Sequence, residues 1–221
     1  MSYGFLKEGW QQKTRHIDNP HKKFPLRALQ NAINKKLLIP EISRLDQSLV
    51  GGIKKRSMLK HIEPHIGKKT IVCMDLSNCF PNISYKRIVE VWKQLGYSPQ
   101  IARILASATT FRGYLPQGAP TSSLLCNFAM NSMATELREL MEARAISFTQ
   151  YIDDICFSGD DDKVVRAMMN EVYKVTPRYE QHINRKKNEI MDSKHQQKFM
   201  GVIVNTKTKV DDAMVKKLSI E

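Results

Sequence analysis

The chain has 221 residues, 42% of them apolar, and carries 35 Lys and Arg against 22 Asp and Glu, a formal charge of +13. That length fits one large domain or two small ones, and the apolar share excludes a disordered chain. No apolar run approaches the roughly 18–20 residues that cross a bilayer, and Met1–Trp10 lacks the apolar stretch of a signal peptide, so no membrane association and no secretion are expected. Cys73, Cys79, Cys126 and Cys156 are irregularly spaced and include no Cys-x-x-Cys pair. This argues against a zinc knuckle or a disulfide framework and for four small buried residues in a reducing cytoplasm.

The charge is uneven. Residues 1–70 hold 15 basic and 5 acidic side chains, residues 71–154 hold 7 of each, and residues 155–221 hold 13 and 10. A basic surplus confined to one third suggests a polyanion surface, nucleic acid above all; the alternative is a solvated face.

In chain order, strand-like pieces at Tyr3–Leu6 and Thr14–Ile17 precede Pro25, which suits a helix start. Leu26, Leu29, Ala32, Ile33 and Leu37 then recur at helical spacing. A basic loop with Gly51–Gly52 and Lys54–Arg56 leads to Ser57, which can cap a short helix reaching His65. Thr70–Leu76 reads as a buried strand, Ser84–Leu95 as a capped helix, Pro99–Ala108 as another, and Thr121–Arg144 as the longest helix. Ser147–Tyr151 and Ile155–Ser158 read as strands joined at Asp153–Asp154; Asp161–Val175 is helical, Lys198–Val204 a strand, and Asp211 onward a short helix. Strands interleaved with helices around a hairpin imply an α+β fold.

Asp75 closes an apolar strand, where an acid is costly unless it is paired, caps a turn or binds a metal. Asp153 and Asp154 lie between Phe148–Tyr151 and Ile155–Phe157. Adjacent acids are common in solvated turns, but a hairpin here can also bring Asp153 beside Asp75. Two such carboxylates could hold two divalent ions about 3.5–4 Å apart, and Mg2+ suits oxygen ligands, with Mn2+ as a substitute. Between the acids, Leu115-Pro116-Gln117-Gly118-Ala119-Pro120-Thr121-Ser122 combines a glycine for close backbone approach, a proline for a helical first turn, and a helix N-terminus able to receive phosphate. His61 and His65 are four apart; that spacing could bind zinc, but no third ligand is evident and a surface helix face is the expected reading.

The order Asp75, Gln117-Gly118-Ala119-Pro120-Thr121-Ser122, Tyr151-Ile152-Asp153-Asp154 resembles the palm of reverse transcriptases, of the retron and group II intron type in particular. The resemblance covers about residues 5–212. It extends to Arg15 and Ile17 with Pro20, to Arg56-Ser57-Met58 with His65-Ile66-Gly67, to Asp75–Ile83, to Asn184 with Lys187, and to Phe199–Asn205.

It implies a right-hand polymerase with an antiparallel palm sheet packed on helices. Residues 1–70 would be fingers-like, 71–205 the palm with a fingers-like insert at about 96–116, and 206–221 the start of a thumb or a truncated end. Asp75 and Asp153, with Asp154 in support and the Leu76 carbonyl, would hold two Mg2+ ions. Arg15, Phe80, Gln117, Gly118 and Lys187 would meet the nucleotide. Phe80 would exclude a 2′-hydroxyl, against the alternative that it is core, and Lys187 would lie near the triphosphate, against the alternative of a solvated lysine. Gln117, Tyr151, Gly201 and Asn205 would face primer or template. The implied activity is RNA-directed DNA synthesis on a structured non-coding RNA, yielding cDNA from deoxynucleoside triphosphates in the cytoplasm, the protein being bacterial or phage-encoded, and a partner protein could supply a thumb or effector function. The alternative is an RNA-binding scaffold of a retron-like or defence complex with weak or lost catalysis.

The chain departs from the retron pattern at His61-Ile62-Glu63-Pro64-His65, at Phe199-Met200-Gly201, at Ser123 and at Ile152.

Overall fold

Residues 25–205 are described by a computed structural model. The strand-like pieces at Tyr3–Leu6 and Thr14–Ile17, Arg15, and the expected C-terminal helix and thumb lie outside them. The first strand, β1 (Thr70–Asp75), is almost wholly buried. Its alternate residues feed two different cores, which is why it reads as an unbroken apolar run. β2 (Ser147–Tyr151) and β3 (Asp154–Gly159) form a hairpin, and β4 (Glu189–Asp192) completes an antiparallel sheet in the order β2-β3-β1-β4. A separate two-stranded ribbon, β5 (Lys198–Phe199) and β6 (Val202–Ile203), folds over the sheet.

On one face Val72, Met74 and Phe157 join the main core, which is filled by the long helix α5 (Ser122–Glu142) and by α6 (Asp162–Val175). The first half of α5 is buried nearly all round, Leu124 through Met130. α3 (Tyr85–Gln94), capped as expected by Ser84 accepting from the Arg87 amide, packs on α4 (Pro99–Thr109) and supplies Ile88, Val91 and Trp92 to the same core. On the other face Ile71 and Cys156 pack with Ile62, Phe199, Val202 and Val204 in a second, smaller core. That layer comprises α2 (Met58–Ile62), its 3-10 continuation Glu63–His65, and the β5–β6 ribbon. The helix α1 (Pro25–Ile33) begins at the expected proline and runs on through a π-helical turn, Asn34–Leu38.

Several expectations need correction. His61 and His65 are not on a surface face: both are fully buried beneath the ribbon. Their helix is covered by the sheet on one side and by Phe199 on the other, an environment that spacing within one helix cannot reveal. The inward residues of α1 are Gln30 and Ile33, while Leu26 and Leu29 are exposed. Ser57 stands at an N-cap position but accepts no capping hydrogen bond. Pro120 precedes the N-cap of α5, Thr121, and so lies outside the helix. Asp154 belongs to β3, leaving Ile152 and Asp153 as the turn. The expected strand Lys198–Val204 breaks into a ribbon because Met200 and Gly201 take left-handed backbone angles, φ 49° and 83°. Cys73 is only partly buried, though all four thiols are free.

Candidate active site

The carboxylates meet because of strand register. In the β1–β3 pairing Asp75 stands directly opposite Asp154, and Cys73 opposite Cys156. Opposed residues of an antiparallel pair project on the same side, so the Asp75 and Asp154 side chains share the sheet face that carries the ribbon. Asp153 occupies the turn just before, and its carbonyl accepts from the Leu76 amide at 2.8 Å. On the other flank the Asn184 amide donates to the Asp75 carbonyl at 2.8 Å, and the Ser77 amide to the His182 carbonyl at 2.7 Å. The backbone around Asp75 is thus held from both sides while its carboxylate remains partly open, its side chain 13% exposed.

Lys187, on the 3-10 turn Arg185–Lys187, donates from Nζ to Asp75 Oδ2 at 2.5 Å. Asn184 and Lys187 therefore address one residue, Asp75, the first through its backbone and the second through its side chain. Tyr151 is partly buried at the end of β2, with its ring centroid 5.7 Å from that of His61.

Gln117 is half-buried and Gly118 exposed with φ 94°, in the turn between Leu115 and α5. The turn is fastened by the Leu115 amide to the Ile83 carbonyl at 2.9 Å, and by Ser122 Oγ to the Pro116 carbonyl at 2.5 Å. Phe80 is partly buried against the main core, so its ring has both a packed side and an open one. Gly201 forms the ribbon's tip, and the ribbon lies on the carboxylate face. Asn205 at its base accepts from the Gln197 amide at 2.7 Å and donates to the His195 carbonyl at 2.7 Å, so its amide closes the 195–205 loop.

Two features of the surroundings were not assigned from sequence. His65 is clamped between Thr149 Oγ1 and Ser158 Oγ, 2.7 Å on each side, tying its helix to β2 and β3. Burial holds His61 down at about 4, and burial with its neighbours His61 and Lys68 holds His65 at about 3, so both rings are neutral at pH 7. Arg56 gives its guanidinium to the carbonyls of Leu45, Asp46 and Leu49. An arginine so occupied is a fastener of the 45–50 loop, a role that a run of basic residues does not disclose.

Among the described residues, no group of three or more His, Cys, Asp or Glu side chains is gathered as a metal cage. The side chains that the β1–β3 end carries are nevertheless carboxylates, Asp75 opposite Asp154 with Asp153 in the adjoining turn. That chemistry fits Mg2+, which is commonly bound by one or two carboxylates and completes its shell with water and substrate phosphates.

An antiparallel sheet backed by two helices, with acids at the end of its central strand and at a neighbouring hairpin turn, has the layout of a polymerase palm. The family model described as reverse transcriptase (RNA-dependent DNA polymerase) matches residues 6–204, and the chain belongs to that family. It is 28% identical to the retron Ec86 reverse transcriptase of Escherichia coli over 205 residues, covering 92% of this chain and 62% of that protein. It is also 28% identical to the retron Se72 reverse transcriptase of Salmonella heidelberg, covering 91% and 54%, and 30% identical to the retron Mx65 reverse transcriptase of Myxococcus xanthus, covering 82% and 47%. The chain thus spans roughly half to three-fifths of the length of these relatives. Among solved structures, the fold matches apo telomerase from Candida tropicalis with a TM-score of 0.57 at 10% identity, covering 83% of this chain and 38% of that one. A C-terminally truncated form of the same telomerase gives 0.55 at 12% identity, covering 84% and 44%. Reverse transcriptases as a family use divalent metal ions, and among the described residues no helix is long and apolar enough to cross a membrane.

Proposed function

We propose that this chain carries out RNA-directed DNA synthesis, copying a structured RNA into cDNA in the cytoplasm by two-metal-ion nucleotidyl transfer. The observation that carries the reading is the register of Asp75 against Asp154, with Asp153 tied by its carbonyl to Leu76. Asp75, Asp153 and the Leu76 carbonyl hold the ions, and Asp154 supports them. When bound, Mg2+ lowers the barrier to ionising the primer 3′-hydroxyl and neutralises charge on the leaving pyrophosphate. Lys187 sits where a cation can pass from Asp75 to the triphosphate, and Arg15 adds a planar fork for its oxygens. Gln117 and Gly118 lie under the nucleotide and template, while Phe80 presents its open side to the sugar. Tyr151 and the tip around Gly201, anchored by Asn205, face the primer.

The test is extension of a primed RNA template by the purified protein with Mg2+ and deoxynucleotides. Asp153→Asn should reduce incorporation by at least about a hundredfold, since a metal site supplies several kcal/mol of transition-state stabilisation. Undiminished extension by that variant refutes the metal assignment. Tight RNA binding without incorporation by the unaltered protein refutes the polymerase reading in favour of a scaffold.

A further inference from the structure

The turn that presents Asp153 is strained. Ile152, immediately before it, is buried and has φ 56°. A β-branched residue in the left-handed region costs on the order of 1–3 kcal/mol and persists only where its surroundings over-determine it. Gln150 Nε2 contributes from within by donating to the Ile152 carbonyl at 2.9 Å.

The outer support is the loop before α2. The Val50 amide donates to the Gln150 carbonyl at 2.9 Å and the Gln150 amide to the Ser48 carbonyl at 2.8 Å, so this loop runs alongside the edge of β2. Beyond Val50 it reaches the turn itself. A Cβ on Gly51 would stand 2.7 Å from the Ile152 amide nitrogen and 2.9 Å from the Tyr151 carbonyl carbon. Both are backbone atoms, which cannot swing aside. Gly51 has no left-handed angle of its own, so what this position requires of glycine is space. Its carbonyl is fixed from the opposite side by Nδ2 of Asn127 on α5, at 2.9 Å. Gly51 is thus wedged between the long palm helix and the peptide that leads into Asp153.

We propose that Gly51 is a positioning residue for nucleotidyl transfer. Its bare backbone seats the strained Ile152 peptide and so sets where Asp153 offers its carboxylate. The inference rests on the reading of Asp153 as a metal ligand. Arg56 and Asn127 act one step further out, by holding Gly51 in place.

The test uses the full chain with Gly51→Ala, and with Gly96→Ala as a control. Gly96, unlike Gly51, has a left-handed angle, φ 99°, but a Cβ there meets nothing within 4 Å, so that variant carries strain without a collision. Three readouts are taken: thermal unfolding, Mn2+ affinity from the free-ion EPR signal, and single-nucleotide incorporation. Misplacement of a reacting group by about 1 Å can cost about a hundredfold in rate, so Gly51→Ala should lower kcat by about tenfold or more and weaken Mn2+ binding several-fold. KM for the deoxynucleotide should stay within about twofold, since the substrate contacts are untouched. Gly96→Ala should lower the melting temperature while keeping kcat and Mn2+ affinity. A folded Gly51→Ala protein with unaltered Mn2+ affinity and kcat overturns the proposal. If Gly51→Ala does not fold, Asn127→Ala, which releases the Gly51 carbonyl, takes its place, and unaltered values there overturn it equally. An unaltered protein that neither binds Mn2+ nor incorporates nucleotide rejects the polymerase reading, and this inference with it, before any variant is compared.

Discussion

Acidification should unfold this protein through its two buried histidines. His61 is enclosed by Tyr151, Phe199 and His65, and neither of its ring nitrogens has a hydrogen-bonding partner among the described residues. His65 has both nitrogens occupied by hydroxyls, an arrangement that one neutral tautomer satisfies with one nitrogen donating and the other accepting. In the unfolded chain both titrate near 6.5, while burial lowers them to about 4 and about 3 in the folded protein. Between those values the unfolded state binds more protons. The stability they permit is therefore whole above pH 6.5 and is lost as pH falls toward 4 and then 3. The slope of each approaches about 1.4 kcal/mol per pH unit once its unfolded form is protonated, so the pair removes about 3 kcal/mol between pH 6.5 and pH 5. With a urea slope of about 2 kcal/mol per molar, that is a fall of about 1.5 M in midpoint. His61→Leu removes one proton site and two unpartnered buried nitrogens. It should raise the midpoint at pH 7 and roughly halve the acid-dependent loss. The surface carboxylates titrate alike in both proteins and cancel in the comparison. Equal pH dependence in the variant and the unaltered protein would refute this account of the second core.

Three further outcomes follow from the same structure. The Asp46 carboxylate is pushed up by burial and pulled down more strongly by hydrogen bonds from Ser48 and Arg138, ending below its ordinary value; Arg138→Met leaves that charge buried and should cost about 3–5 kcal/mol in urea unfolding. Of the four thiols, only Cys73 is partly exposed, while burial and the Cys73 contact raise Cys156, and the Cys79 contact and burial raise Cys126. A maleimide should therefore label one cysteine in the native protein, identified by peptide mapping, and all four after denaturation. Phe80→Ala should increase the use of ribonucleotides relative to deoxynucleotides in primer extension; an unchanged ratio would assign the ring to packing alone.

What was legible in the sequence is what one segment can carry by itself. β1, the β2–β3 hairpin and helices α3 to α6 announce themselves by apolar period, by Ser84 as a cap, and by the acids at strand ends. β4 was missed because Glu189-Ile190-Met191-Asp192 has no alternation to read and is largely exposed; it is a strand because β1 offers it a free edge. The burial of His61 and His65 was missed for a related reason. Which face of their helix is inward depends on a ribbon more than a hundred residues later in the chain. Lys187 was legible with Asn184 through the resemblance, with a solvated lysine of a basic run as the alternative, but its contact with Asp75 was not, because that depends on the Asn184 bond that pulls its turn against β1. Gly51 and Gly52 were visible as a glycine pair, but the reason for the first lies in the peptide it touches.

The basic surplus of the first seventy residues also changes meaning once individual side chains are followed. Arg56 is consumed by backbone carbonyls, so part of that charge builds the loop rather than facing a polyanion. A cation that does reach these carboxylates comes from much later in the chain: Lys187, whose side chain is 47% exposed, pairs with Asp75. An ion pair with so much solvent access contributes only about 0–1 kcal/mol. On the proposed function, a divalent ion at Asp75 would therefore have little to overcome in displacing it, and the freed ammonium would remain tethered nearby. A buried, fully desolvated pair at the same position would bind the metal only at the cost of several kcal/mol for the stranded charge. On the proposed reading of Asp75 as a metal ligand, the openness of the Lys187 side chain would make one carboxylate compatible with two successive partners.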